Sequence, residues 1–240
     1  MAVYAQTMAA YAKVFKPEAM ANLVVSDSDL VMTAPITTGM TNATFNINAT
    51  TGGTQQAWEV RLQQTDTFTI ARLGIFAYGI MGSTTGPAGT TSYRYWTYSP
   101  YQLSSAFLAV NPLWDSGALT MTLNGRQFLK NWLTNKHYQV QRTQMGPAQA
   151  ITTSGTPSNA AIDAIVLGDD GMADVEPTIR FSGSWNNQIT INWPNGVSPV
   201  TNYAYVGDAN TVYLSISYVN MVLNGLLAQN SASILGSDFF

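Results

Sequence analysis

The chain has no cysteine and a single histidine, His137, among its 240 residues. The missing thiols exclude disulfides, thiolate catalysis and cysteine-based metal sites, and one imidazole cannot supply a multi-histidine zinc centre. A Ser–His–Asp triad would have to use His137, and no Gly-x-Ser-x-Gly motif accompanies it. His137 stands at the start of a predicted strand at about 136–144, so a structural role is expected for it.

Charge is also scarce, because Asp, Glu, Lys and Arg make up 10% of the residues, whereas about 25% is usual. Neutral polar residues take their place. The net charge is −3 and no basic tract stands out, so nucleic acid is not an expected partner. No apolar run approaches the roughly 18 residues of a membrane span, and the N-terminus lacks the pattern of a secretory signal. We therefore expect no membrane span, and either a mature chain or one that is made and used without Sec-dependent export.

What the chain does contain is alternation of apolar and polar residues, which is typical of strands with one buried face. Turn-forming residues separate these segments, which indicates an all-β sandwich or barrel. No sequence repeat of fixed period appears, so propellers and solenoids are not expected. The clearest segments are 44–49, 57–64, 67–81, 93–98, 119–123 and 211–223.

The strongest strand–turn–strand pattern runs from Val175 to Pro194. One interpretation is a hairpin whose three-residue turn, 186–188, pairs Trp185 with Ile189 and places the apolar residues on one face. The alternative places the two strands in two facing sheets. In the last long strand, 211–223, the apolar positions change from even to odd numbers, which predicts a bulge near Tyr218.

Two short helices are predicted. Residues 2–15 place Tyr4, Met8, Tyr11 and Phe15 on one helical face before Pro17 ends the helix. This face packs either on its own domain or on a neighbouring subunit. The spacing of Phe128, Leu129, Trp132 and Leu133 predicts a second helix at 126–134, although Asn124-Gly125 also suits a type I′ hairpin turn.

These elements predict three parts in the chain: an N-terminal helical arm at 1–21, one β-sandwich domain at 22–225, and a C-terminal tail at 226–240. The tail ends in Phe239 and Phe240, whose exposure would be unfavourable unless they dock on another surface. Aromatic residues also crowd one strand, where one face would lie outside the core. Those residues are Tyr93, Tyr95, Trp96 and Tyr98.

No catalytic residues are predicted, because no two of the carboxylates stand out as a general acid and base. Asp169, Asp170 and Asp174 are weak candidates for calcium ligands, since carboxylates near a glycine turn suit a hard cation. Trp58, Trp185 and Trp193 alternate with polar residues and are expected in the core. Trp96 and the tyrosines at 93–98 are the better candidates for an exposed platform that stacks on sugar rings, so a carbohydrate-binding or adhesin module is the alternative function.

The layout resembles jelly-roll bacteriophage virion proteins. The resemblance lies in the arm, in about eight to ten Thr/Asn-rich strands, and in the Pro177–Pro194 segment followed by VYLSISYVNMVLNG at 212–225. It implies an antiparallel jelly-roll sandwich and a capsid or capsid-associated subunit located in the virion. It further implies no enzymatic activity and no cofactor. The implied partners are other virion proteins and copies of the chain itself, as a trimer or pentamer, with the arm, the aromatic strand and the tail at subunit contacts.

Overall fold

A computed structural model describes residues 24–49, 56–83, 91–96, 112–137, 172–207 and 210–231. This part of the chain is mostly antiparallel β-structure. Its only helical elements are one α-helical turn, α1 (Pro112–Asp115), and a 3₁₀ turn (Thr134–His137). Its strands are β1 (Val24–Pro35), β2 (Met40–Asn46), β3 (Thr67–Ser83), β4 (Thr91–Trp96), β5 (Ala118–Leu123), β6 (Arg126–Leu133), β7 (Met172–Ser182), β8 (Asn187–Val197), β9 (Val200–Gly207) and β10 (Asn210–Gln229).

The strands form two sheets. Sheet A is built on the two long strands β3 and β10, which pair with each other. On its other side, β10 pairs with β9 along one part of its length and with β1 along the rest. In the same way, the other side of β3 pairs with β7 along one part and with β4 along another. Sheet B has the order β2-β8-β5-β6. All of these pairings are antiparallel.

One hydrophobic core lies between the sheets, because each strand turns alternate residues inward. Sheet A contributes Met32, Phe68 and Leu223, among others, and sheet B contributes Phe45, Met121 and Trp193. All six side chains are buried. The expected core position of Trp193 is therefore confirmed, and Trp185 packs partly buried against the same cluster.

The hairpin interpretation of Val175–Pro194 is wrong and its alternative is confirmed. β7 pairs with β3 in sheet A, whereas β8 pairs with β2 and β5 in sheet B. The connection between them crosses from one sheet to the other. Asn48 holds it in place, because its Nδ2 donates to the carbonyl oxygens of Gly183 at 2.5 Å and of Trp185 at 2.6 Å.

The predicted helix at 126–134 is also wrong, because Arg126–Leu133 is strand β6. Asn124 and Gly125 have φ values of 49° and 77°, and a type I′ turn requires positive φ at both positions. Two register shifts against β5 and the positive φ of Asn131 displace the side chains of β6 from strict alternation. The bulged strand therefore has apolar residues at a spacing that imitates a helical face.

The predicted strand at 57–64 is instead an irregular segment with two isolated bridges, Val31 to Val60 and Asn48 to Leu62. The strands predicted at 67–81 and 119–123 are confirmed as β3 and β5. The expected bulge is confirmed as well, because the β10 register shifts between Ile216 and Tyr218. β10 continues to Gln229, into the segment expected as a tail. The arm at 1–21 lies outside the described residues.

Candidate interaction surfaces

Most of the residues predicted at subunit contacts lie outside the described part of the chain. Tyr93, Tyr95 and Trp96 belong to β4, which pairs with Ala77–Gly82 of β3. This confirms a strand at 91–96, and no described strand pairs with its other side. Outside the described residues are Tyr4, Met8, Tyr11, Phe15, Tyr98, Phe239 and Phe240.

Of the three candidate calcium ligands, only Asp174 is described. Its side chain is 76% exposed, and its Oδ1 lies 3.6 Å from Nε of Arg72 on the neighbouring strand. Within the described ranges, no group of three or more Asp, Glu, His or Cys residues could hold a metal ion. Asp169 and Asp170 lie outside those ranges.

His137 is fully buried at the end of the 3₁₀ turn. Its Nε2 accepts the indole N–H of Trp132 at 3.0 Å. The Lys136 ammonium lies 3.8 Å from the centre of the same indole ring. These contacts give His137 a structural role in holding the end of β6 against the core.

Trp58 contradicts its expected core position and covers the outer side of sheet A. Its ring lies 4.9 Å from that of Tyr78 and 6.3 Å from that of Tyr218. Its Nε1 donates to Thr33 Oγ1 at 3.1 Å. The sequence pattern predicted the wrong environment because the short alternating run around Trp58 belongs to a segment that runs along the edge of a sheet. In such a segment, alternating apolar residues do not all face the core.

Glu59 anchors that segment to β1. Its Oε1 accepts the backbone N–H of Thr33 at 2.7 Å, and its Oε2 accepts that of Gln56 at 2.9 Å. Arg61 Nη2 lies 3.1 and 3.2 Å from the two carboxylate oxygens. The Glu59 side chain is 1% exposed, so its charge is compensated by charge-assisted hydrogen bonds instead of by water.

Replacing Glu59 with glutamine is expected to lower the free energy of unfolding by about 2 kcal/mol, since a buried ion pair loses one partner and an amide group must face backbone donors. Chemical denaturation would measure the loss. Limited proteolysis should also become faster within 56–62.

The matched control is Asp174→Asn, which removes the Arg72–Asp174 pair. That pair is largely exposed, so its loss is expected to cost less than about 0.5 kcal/mol. Equal effects of the two variants would contradict the anchoring role of Glu59.

The outer side of sheet B carries a surface that we call the neutral face. Its residues are uncharged, and all of them are polar except Ala118. It consists of nine positions on β2, β8 and β5. Four are exposed and five are half-buried. None is ionisable. They are Asn42, Thr44, Asn46, Gln188, Thr190, Asn192, Ala118, Thr120 and Thr122.

The neutral face could not be recognised from the sequence. The signal was present, because β2, β5 and β8 each alternate core residues with Asn, Gln or Thr. The missing information was that the three strands are neighbours, which depends on pairings between residues that are distant in sequence, such as Thr44 with Thr190 and Thr120 with Thr190. Local patterns do not determine such pairings.

Comparison with known proteins found no matching family model, no matching curated protein and no matching solved structure. Within the described part of the chain, no helix has the length and apolar character needed to cross a membrane.

Proposed function

We propose that this chain is a jelly-roll structural subunit of a bacteriophage virion, part of the capsid or associated with it, that assembles with copies of itself. The observation that carries the proposal is the nesting of strand pairs. Eight of the described strands remain when β4 and β9 are set aside. Among these eight, the first pairs with the eighth, the second with the seventh, the third with the sixth and the fourth with the fifth. Those pairs are β1–β10, β2–β8, β3–β7 and β5–β6.

Nested pairing supports the jelly-roll assignment because it results when one long antiparallel hairpin is rolled into two facing sheets. Jelly rolls have eight strands and occur in viral capsid proteins, lectins and cupins. The segments whose sequence resembles virion proteins, 177–194 and 212–225, fall on β7, β8 and β10, which are the last three strands of the nest.

The chemistry of the chain supports assembly. Charged residues are few, and interface centres are typically depleted of charge. Exposed apolar side chains occur beside a neutral sheet face, at Phe128 and Leu133 on β6. We expect trimers or pentamers, other virion proteins as further partners, and no contact with nucleic acid.

Deleting residues 1–16 tests the role proposed for the arm. The truncated chain is expected to lose the oligomer because the apolar face of Tyr4, Met8, Tyr11 and Phe15 would no longer reach a neighbouring subunit. Light scattering would measure the mass and circular dichroism the β-structure. An unchanged oligomer after deletion would count against the arm, and lost β-structure would place its contacts within its own domain.

A lectin-like module is the alternative that the same fold permits. It predicts a monomer that binds a glycan array and loses binding with Trp96→Ala. A virion subunit predicts oligomers and no dependence on Trp96 for any glycan signal. The two functions are therefore separated by the same pair of measurements.

A further inference from the structure

The neutral face is a regular array, because the registers of β2, β8 and β5 align its residues in three rows. The rows are Asn42–Asn192–Ala118, Thr44–Thr190–Thr120 and Asn46–Gln188–Thr122. Neighbouring side chains are spaced about 4.8 Å across the strands and about 7 Å along them. Thr44 Oγ1 and Thr190 Oγ1 lie 3.4 Å apart in the central row.

This array is chemically complementary to itself. Each amide and each hydroxyl can both donate and accept a hydrogen bond, so the same groups on another molecule can satisfy them. A surface with ionisable residues would bring like charges together or would bury them at a cost. The central position of the array, Thr190, carries only a hydroxyl and a methyl group.

The border of the face supports contact with protein. Four large hydrophobic residues are exposed in the described part of the chain, and two of them, Phe128 at 40% and Leu133 at 52%, lie on β6. Leu133 pairs with Ala118 and therefore continues the first row. A centre without charge agrees with the depletion of charged residues in the cores of protein interfaces.

The face is better suited to contact than the edge of its sheet. The border strand β6 contains two register shifts against β5 and a residue of positive φ, Asn131. It also carries Arg126 and Lys130. Bulges and cations are features that discourage an edge strand from pairing with another strand, which leaves the face itself as the contact surface.

We propose that the neutral face packs against the neutral face of a second copy of this chain around a twofold axis near Thr190. Two sheets then stack as in a sandwich, and the same residues contribute from both sides. The inference rests on the self-assembly proposed above. A twofold contact cannot close a trimer or pentamer, so this contact joins one ring of subunits to another.

The natural absence of cysteine allows a direct test by cross-linking. Thr190→Cys places one thiol at the centre of the face, and Thr178→Cys, which replaces an exposed threonine on β7, is the matched control. In the assembled protein, a short bis-maleimide is expected to give covalent dimers of the first variant and not of the second. If the thiol of the Thr190→Cys variant reacts with a mono-maleimide but does not cross-link, the face is open to solvent or to another molecule, and the proposal is overturned.

A second pair of variants tests the energetics of the contact. Thr44→Glu places like charges at the contact and is expected to remove the larger species seen by light scattering, whereas Thr178→Glu is expected to retain it. An unchanged mass for Thr44→Glu would overturn the face contact alone. A wild-type chain that is monomeric at every concentration would overturn self-assembly as well, so the two failures are distinguishable.

Discussion

Replacing Gly225 with alanine is expected to destabilise the folded chain strongly. Gly225 lies in β10 between Ser28 of β1 and Ile70 of β3, at a register shift in the centre of sheet A. An added Cβ would overlap the backbone carbonyl oxygen of Thr69 and lie 3.1 Å from the Ile70 Cα. Because the obstacle is backbone that is paired on both sides, no side-chain rotation relieves it.

The expected loss for Gly225→Ala is at least about 3 kcal/mol, or a melting temperature lower by about 6 to 12 °C for a chain of this size. Thermal unfolding followed by circular dichroism would measure it. Gly39→Ala is the control, since Gly39 has a φ of 68° and open space around a Cβ, so only about 1 kcal/mol is lost to backbone strain. A Gly225→Ala variant as stable as Gly39→Ala would contradict the register of β3 and β10.

Replacing Trp114 with alanine is expected to cost about 3 to 5 kcal/mol, because it empties a large, fully buried site. Trp114 has no exposed surface. Its Nε1 donates to the carbonyl oxygen of Ile75 at 3.0 Å. Along β3, pairing with β7 reaches Gly74 and pairing with β4 begins at Ala77. The indole therefore fills a gap in the strand pairing as well as a volume in the core.

Trp114→Phe separates those two contributions. Phenylalanine keeps most of the volume but leaves the Ile75 carbonyl without the indole donor, so a loss of about 1 to 3 kcal/mol is expected. Urea denaturation of both variants would give the difference. If Trp114→Phe were as stable as the wild-type chain, the hydrogen bond would contribute nothing. If it were as damaging as alanine, packing would not be the main contribution.

Strands could be predicted from the sequence where one face of the strand packs on the core and the other face is exposed or half-buried. Leu119, Met121 and Leu123 alternate with threonines and form β5 as expected. The change from even to odd apolar positions located the β10 bulge next to Tyr218. In both segments, burial alone determines the pattern, so local sequence was sufficient.

Strand partners could not be predicted in the same way. Phe181 and Trp193 are both buried, which agrees with a hairpin and with two facing sheets alike. Only contacts with β3, β2 and β5 distinguish them, and those strands are distant in sequence. The helix predicted in place of β6 was wrong for a different reason, since the bulges of β6 space Phe128, Leu129, Trp132 and Leu133 as a helical face would.

The candidate surfaces were predicted only in part. Tyr93, Tyr95 and Trp96 are conspicuous in the sequence because several large rings stand close together, and the structure confirms a strand there. The neutral face has no such marker, since single Asn and Thr residues are common in any polar sequence. It becomes visible only when β2, β8 and β5 are placed side by side.

The mass of the intact chain in solution tests the central proposal most directly. Light scattering across a range of concentrations is expected to give a discrete multiple of the 25.9 kDa monomer, with trimers, pentamers or pairs of such rings. A single species of monomer mass at every concentration would contradict a self-assembling virion subunit.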